Sequence, residues 1–233
     1  MVKQKFSFLV LFVLIFNALS AQDETVIVKN GALVDGDRFR KNFYFLPDFG
    51  EGDVKLKDGK VLHSIFNINV YKQVLHAISN GKDTIAVDIE PNIEYVTISG
   101  NVFRKLNGVY YQLMATDGRI ILALRKDLRI TNPNKNGAYG SPGETASVTN
   151  INVLGVTEHM AALSGNVNYK FSYSETLSLM TARGMNYQFN KKNFFKLFSA
   201  KQADIEAYIK ENKTDFQNPV SLTKMFNYVI NLK

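Results

Sequence analysis

The chain has 233 residues, a formal net charge of +7, 45% hydrophobic residues and no cysteine. A chain of that length can bury a sizeable core unaided, and the missing cysteine excludes a disulfide framework, a lipidated lipoprotein cysteine and a thiolate nucleophile. The charge is too moderate to argue for a nucleic-acid partner, the more so because the chain begins like an exported protein.

Residues 1–21 carry Lys3 and Lys5, then the apolar run from Phe6 to Phe16, then Asn17, Ala18, Leu19, Ser20 and Ala21, ending in small residues. This is the architecture of a secretory signal peptide. The apolar run covers 11 residues, short of the roughly 20 that span a bilayer, so cleavage after Ala21 is expected and no transmembrane span is left. Export without disulfides fits a bacterial envelope, with the mature protein periplasmic or extracellular.

Residues 22–130 read as one antiparallel β-meander domain. Thr25 to Val28 is a strand, Asp35-Gly36-Asp37 a turn, and the aromatics from Asn42 to Pro47 cover one end of the sheet. The run Asp48-Phe49-Gly50-Glu51-Gly52-Asp53 sets carboxylates beside glycines, as a calcium loop does. Its spacing completes no EF-hand, and it reads as a solvated turn. From residue 54 to 130, turn dipeptides cut short apolar runs at Asp58-Gly59, Asn80-Gly81, Pro91-Asn92, Gly100-Asn101, Asn107-Gly108 and Asp117-Gly118. Several are pairs that tolerate the positive φ of two-residue hairpins, and the series implies about seven strands.

Within the strands the period is two. Phe66, Ile68 and Val70 fall on a buried face, with Asn67 and Asn69 on the other; Ile85, Val87 and Ile89 alternate with Thr84, Ala86 and Asp88. Ile120 to Leu124 is apolar on both faces, which marks a central or doubly covered strand. The hairpin around Asn107-Gly108 carries basic and tyrosine side chains on its expected outer face. Arg104, Lys105 and Tyr110 are therefore the candidate ligand-binding residues, since Arg recognises anions bidentately and Tyr offers rigid contact area.

Residues 131–150 are rich in Asn, Gly, Ser and Pro and read as a loop or linker. Residues 151–190 form a mixed segment in which Tyr169 to Tyr173 and Met185 to Phe189 are strand-like and suited to return to the sheet. Beyond Phe189 the period changes to about 3.6. Phe194, Phe195 and Phe198 stripe a first helix; Ser199 with Gln202 has capping-box spacing for a second through Ile205, Tyr208 and Ile209. Asn218-Pro219 reads as the cap and first residue of a third, carrying Leu222, Met225, Phe226, Val229 and Ile230. Residues 191–233 are thus a C-terminal helical module, with eight lysines against four carboxylates. The fold class is α+β: an antiparallel β-meander sheet of about seven strands followed by a small C-terminal helical module.

The runs from Ser64 to Tyr71, Asp83 to Asp88, Val96 to Phe103 and Ile121 to Leu124, with Phe194 to Phe198, Ile205 to Lys213 and Phe216, resemble a group of uncharacterised secreted proteins of the Bacteroidota type. The resemblance covers most of the chain after residue 21, except residues 131–165. It implies an exported compartment and a sheet-plus-helices architecture, and its motifs are core and turn positions that carry no catalytic residue across.

Direct signs of chemistry are sparse. His63, His76 and His159 lack the spacing of paired metal ligands, and no serine sits in a nucleophile elbow. Asp88, Glu90 and Glu94 are the densest carboxylate group, but they flank an exposed turn, where a carboxyl pKa is hard to raise. No catalytic residue, metal or cofactor is expected. Two functions follow: a non-enzymatic envelope protein with a structural or protein-interaction role, through a protein partner or self-association; or a binding module for an anionic envelope glycan or lipid head group through Arg104, Lys105 and Tyr110. An enzyme ranks third.

Overall fold

The structure, a computed structural model, describes residues 22–29, 32–33, 41–79, 83–87, 92–131 and 167–232. Residues 1–21, expected as a signal peptide, the turn expected at Asp35-Gly36-Asp37, nearly all of the linker expected over 131–150, residues 151–166 and His159 lie outside the described residues.

What is described is mostly antiparallel sheet with a small C-terminal helical region. The strands are β1 (Gln22–Lys29), β2 (Ala32–Leu33), β3 (Gly50–Leu56), β4 (Val61–Asn69), β5 (Val74–Ser79) and β6 (Asp83–Ala86). They continue as β7 (Ile93–Ile98), β8 (Asn101–Leu106), β9 (Val109–Thr116), β10 (Ile120–Thr131), β11 (Val167–Thr181) and β12 (Asn186–Gln188). The helices are α1 (Lys191–Leu197), α2 (Gln202–Asn212) and α3 (Pro219–Asn231).

Where about seven strands were expected, the described residues form twelve in one sheet, ordered β2-β1-β11-β10-β9-β8-β7-β3-β4-β5-β6, with β12 also on β11. Nor do residues 54–130 form an uninterrupted meander. β7 pairs with β3, on the far side of the β3 to β6 group, so the chain crosses over between two meanders. Part of the undercount is a turn without any turn dipeptide, at Tyr71-Lys72-Gln73 between β4 and β5.

Gln73 sits at φ 54°, a region that ordinary side chains avoid. Tertiary bonds hold it there. Its Nε2 donates to the carbonyls of Val70 (2.8 Å) and Lys126 (3.0 Å), its Oε1 accepts from the Tyr110 amide (3.0 Å), and its own carbonyl accepts from Lys105 Nζ (2.7 Å). β4 and β10 are five places apart in the sheet, which in a flat sheet would separate them by roughly 24 Å at about 4.8 Å per strand. A residue at the end of β4 that touches β10 therefore means the sheet curls over on itself.

The curl encloses a first core. Strands β3 to β5 and β7 to β11 all contribute to it, through Val54, Ile68, Leu75, Val96, Phe103, Tyr110, Leu128 and Phe171 among others. Phe43 and Phe45 add to it, with Phe45 edge-on to Phe103 at 5.0 Å. Close approach of β7 to β3 depends on Gly52, where a Cβ would run into the Thr97 carbonyl. The Asp48 to Asp53 run is thus a turn only at its start: from Gly50 it is strand.

Asn67 and Asn69, expected on a wet face, are fully buried. The reason lies upstream. Phe43 and Phe45 continue the β3 ladder alongside the end of β4, through Phe45 N–H to the Ile68 carbonyl and Val70 N–H to the Phe43 carbonyl. Between Leu46 and Asp48 that ladder is interrupted, and the Asn67 side chain fills it: Oδ1 accepts from the Leu46 amide (3.1 Å), and Nδ2 donates to the carbonyls of Leu46 (2.9 Å) and Asp48 (3.1 Å). Ile85, expected inward, is half exposed on the edge strand β6.

A second core lies at the other end of the long β10–β11 hairpin, on the same face as the first. Ile120 and Leu122 of β10 and Leu177 and Leu179 of β11 pack against Phe194, Phe198, Ile205, Leu222, Met225, Phe226 and Val229. Leu124 touches both cores. Asn218 caps α3 by accepting from the amides of Val220 and Ser221, with Pro219 at the first position. The capping box expected at Ser199 is absent: Ser199–Lys201 is a 3-10 turn, and α2 starts at Gln202 without a side-chain cap. Lys201 instead donates from Nζ to the carbonyls of Val229 (2.9 Å) and Leu232 (2.7 Å), placing a cation at the negative end of α3. No helix among the described residues is long and apolar enough to cross a membrane.

Candidate functional site

The β8–β9 hairpin does not present the expected surface. Tyr110 is fully buried in the first core, and Tyr111, its neighbour on the opposite face of β9, is buried with Ala123 and Met180. Lys105 and Tyr110 are brought together, with Nζ 5.0 Å from the ring centroid, but that ammonium is held by the Gln73 carbonyl. Only Arg104 is exposed. On the same side, the Tyr111 hydroxyl accepts from Asn186 Nδ2 (2.9 Å). Nearby, Arg125 is bound to Asp127, and that hydrogen bond raises the guanidinium pKa above its ordinary value.

The histidines are separate. His63, on β4, is exposed and 2.9 Å from its register partner Asp53. His76, on β5, is buried with its Nδ1 3.1 Å from the Tyr44 hydroxyl. Of the carboxylate group, Glu94 lies exposed on β7, while Asp88 and Glu90 are outside the described residues. Among the described residues no group of three or more His, Cys, Asp or Glu is placed to hold a metal ion.

A concave site is found elsewhere, between the helices and the long hairpin. It is a groove of about 260 Å³ lined by Met114, Leu124, Glu175, Leu177, Pro219, Val220, Thr223 and Lys224. Its floor is built from Leu124 and Leu177, register partners on β10 and β11. Met114 joins them where the β9–β10 register slips: Ala115 faces Leu122 and Leu113 faces Ala123, so Met114 is the extra residue. A bulge re-aims a side chain in this way.

The roof is the first turn of α3. That helix commits Leu222, Met225, Phe226 and Val229 to the core, a stripe at 3.6 spacing. Pro219, Val220 and Thr223 lie off the stripe and overhang the sheet without filling the space below. Val220 is 41% exposed and Met114 42%, so the groove is open to solvent at both walls.

The electrostatics of the groove are asymmetric. Glu175 is neutralised by Lys126, its register partner, at 2.9 Å. Lys126 also lies 5.3 Å from the Phe45 ring centroid. Lys224 is exposed at the rim, and the first turn of α3 holds no acidic residue. The positive end of the α3 dipole points the same way. Thr223 spends its hydroxyl on the Pro219 carbonyl (2.8 Å). The arrangement supplies apolar contact and a positive rim, and sequence reading missed it because its walls come from four distant elements.

No protein-family model, curated protein or solved structure matches this chain.

Proposed function

We propose that the chain is an exported cell-envelope protein of the secreted Bacteroidota type that works by binding, with a structural or protein-interaction role in place of chemistry. The observation that carries this reading is the groove under α3: a solvent-open apolar concavity is where a partner's apolar group seats. Export rests on the signal-like start of the chain. A second reading, binding of an anionic envelope glycan or lipid head group, is supported by the exposed cations Lys224 and Arg104.

Fractionation of the native cell, with mass spectrometry of the terminal peptide, should find the protein in the periplasm or medium with Gln22 at its start. A photoreactive residue at Val220 should give a discrete envelope adduct that the same residue at Asp58, on a remote exposed turn, does not give. An intact Met1 end in the cytosol would overturn the export reading. Indistinguishable adducts from the two positions would overturn the binding reading.

A further inference from the structure

We propose that the occupant of the groove is the end of a single aliphatic chain bearing a carboxylate, a fatty-acid anion, with Lys224 at its head. This deepens the second reading above and moves its site from the β8–β9 hairpin to the α3 groove. The walls dictate the tail. Met114, Leu124, Leu177, Pro219 and Val220 offer no side-chain hydrogen bond, so a sugar or peptide backbone entering the groove would leave its polar groups unsatisfied. At about 260 Å³, the space falls below the roughly 300–1,000 Å³ of pockets that enclose a drug-sized ligand. It suits one narrow chain better than a ring system.

The mouth dictates the head. Glu175 is cancelled by Lys126 at 2.9 Å, which leaves Lys224 as the uncompensated charge among the lining residues. The surrounding field has the same sign, with eight lysines against four carboxylates between residues 191 and 233, so an anion is drawn to this mouth and a cation repelled. The α3 amides do not seat the head themselves, because those of Val220 and Ser221 are taken by Asn218 Oδ1. Recognition therefore falls to the Lys224 ammonium.

The test is titration of the purified protein, labelled at its methionine methyl groups, with dodecanoate. The Met114 signal should move saturably, while that of Met225, fully buried in the helical core, moves little. Lys224→Glu, at an exposed position, should weaken dodecanoate by about five- to tenfold, since a charge reversal replaces attraction with repulsion. The same variant should strengthen dodecyltrimethylammonium, with an unchanged amide spectrum showing that the fold is intact. Absence of a saturable Met114 shift, or equal dodecanoate affinity in wild type and variant, would overturn the inference. So would wild-type binding of dodecyltrimethylammonium as tight as that of dodecanoate. A Val220 adduct that persists in cells despite such a result would leave the protein-interaction reading standing and remove this one alone.

Discussion

Phe194→Ala should lower the melting temperature of the whole protein by roughly 10 °C in one cooperative transition, at about 2–4 °C per kcal/mol for a chain of this size. Phe194 is fully buried, stacked on Phe189 at 5.0 Å and against Phe198 at 4.8 Å, with Phe226 at 6.5 Å. Truncating a phenylalanine in such a setting costs roughly 3–5 kcal/mol through lost transfer energy and the cavity left behind. The loss should reach the sheet because the same cluster contains Leu122 and Leu179 of the long hairpin. Helices of 7, 11 and 13 residues are marginal alone in water, so docking supplies their stability. Phe195→Ala, at a half-buried position, should cost clearly less. Calorimetry in which the sheet melts as in wild type, with helical signal alone lost, would separate the helices from the fold.

Asn67→Ala should destabilise the protein by about 3 kcal/mol, although it removes little apolar area. The Asn67 side chain bonds the Leu46 amide and the carbonyls of Leu46 and Asp48, and each buried group left unpaired costs about 1–3 kcal/mol, not additively. Asn67→Asp keeps the acceptor for the Leu46 amide and loses both donors, so it should not rescue. Urea unfolding should show a lower midpoint with an unchanged slope. A change below about 0.5 kcal/mol, the level of an ordinary surface substitution, would mean that residues 43–49 are not held on β4 in this way.

These two residues also mark how far the sequence could be read. Phe194 stood in a 3.6-period stripe, and Asn218-Pro219 announced the start of α3, because caps and apolar stripes are local signals. Asn107-Gly108 was equally plain, with φ of 50° and 81° in the structure. Asn67 was misplaced because alternation assigns faces by period and cannot see a cover arriving from some twenty positions upstream. Gln73 was missed for a related reason: its positive φ is imposed by bonds to Val70, Lys126 and Tyr110, none of which a turn dipeptide records. Tyr110 and Tyr111 read as surface rings because nothing local to the hairpin records what covers its two faces: the first core on one, Ala123 and Met180 on the other. The groove was beyond local reading altogether. Met114 enters it through a register slip, and Val220 and Lys224 through a helix whose docking angle no pattern in α3 states.

The three helices and the β10–β11 strand pair form one cooperative unit whose imperfect closure leaves the groove. Hydrogen exchange followed by mass spectrometry tests it most directly. Peptides from α1 to α3 should exchange slowly and at the same rate as those from residues 120–131 and 170–181, opening together. Helical peptides that exchange within seconds while the hairpin stays protected would contradict it.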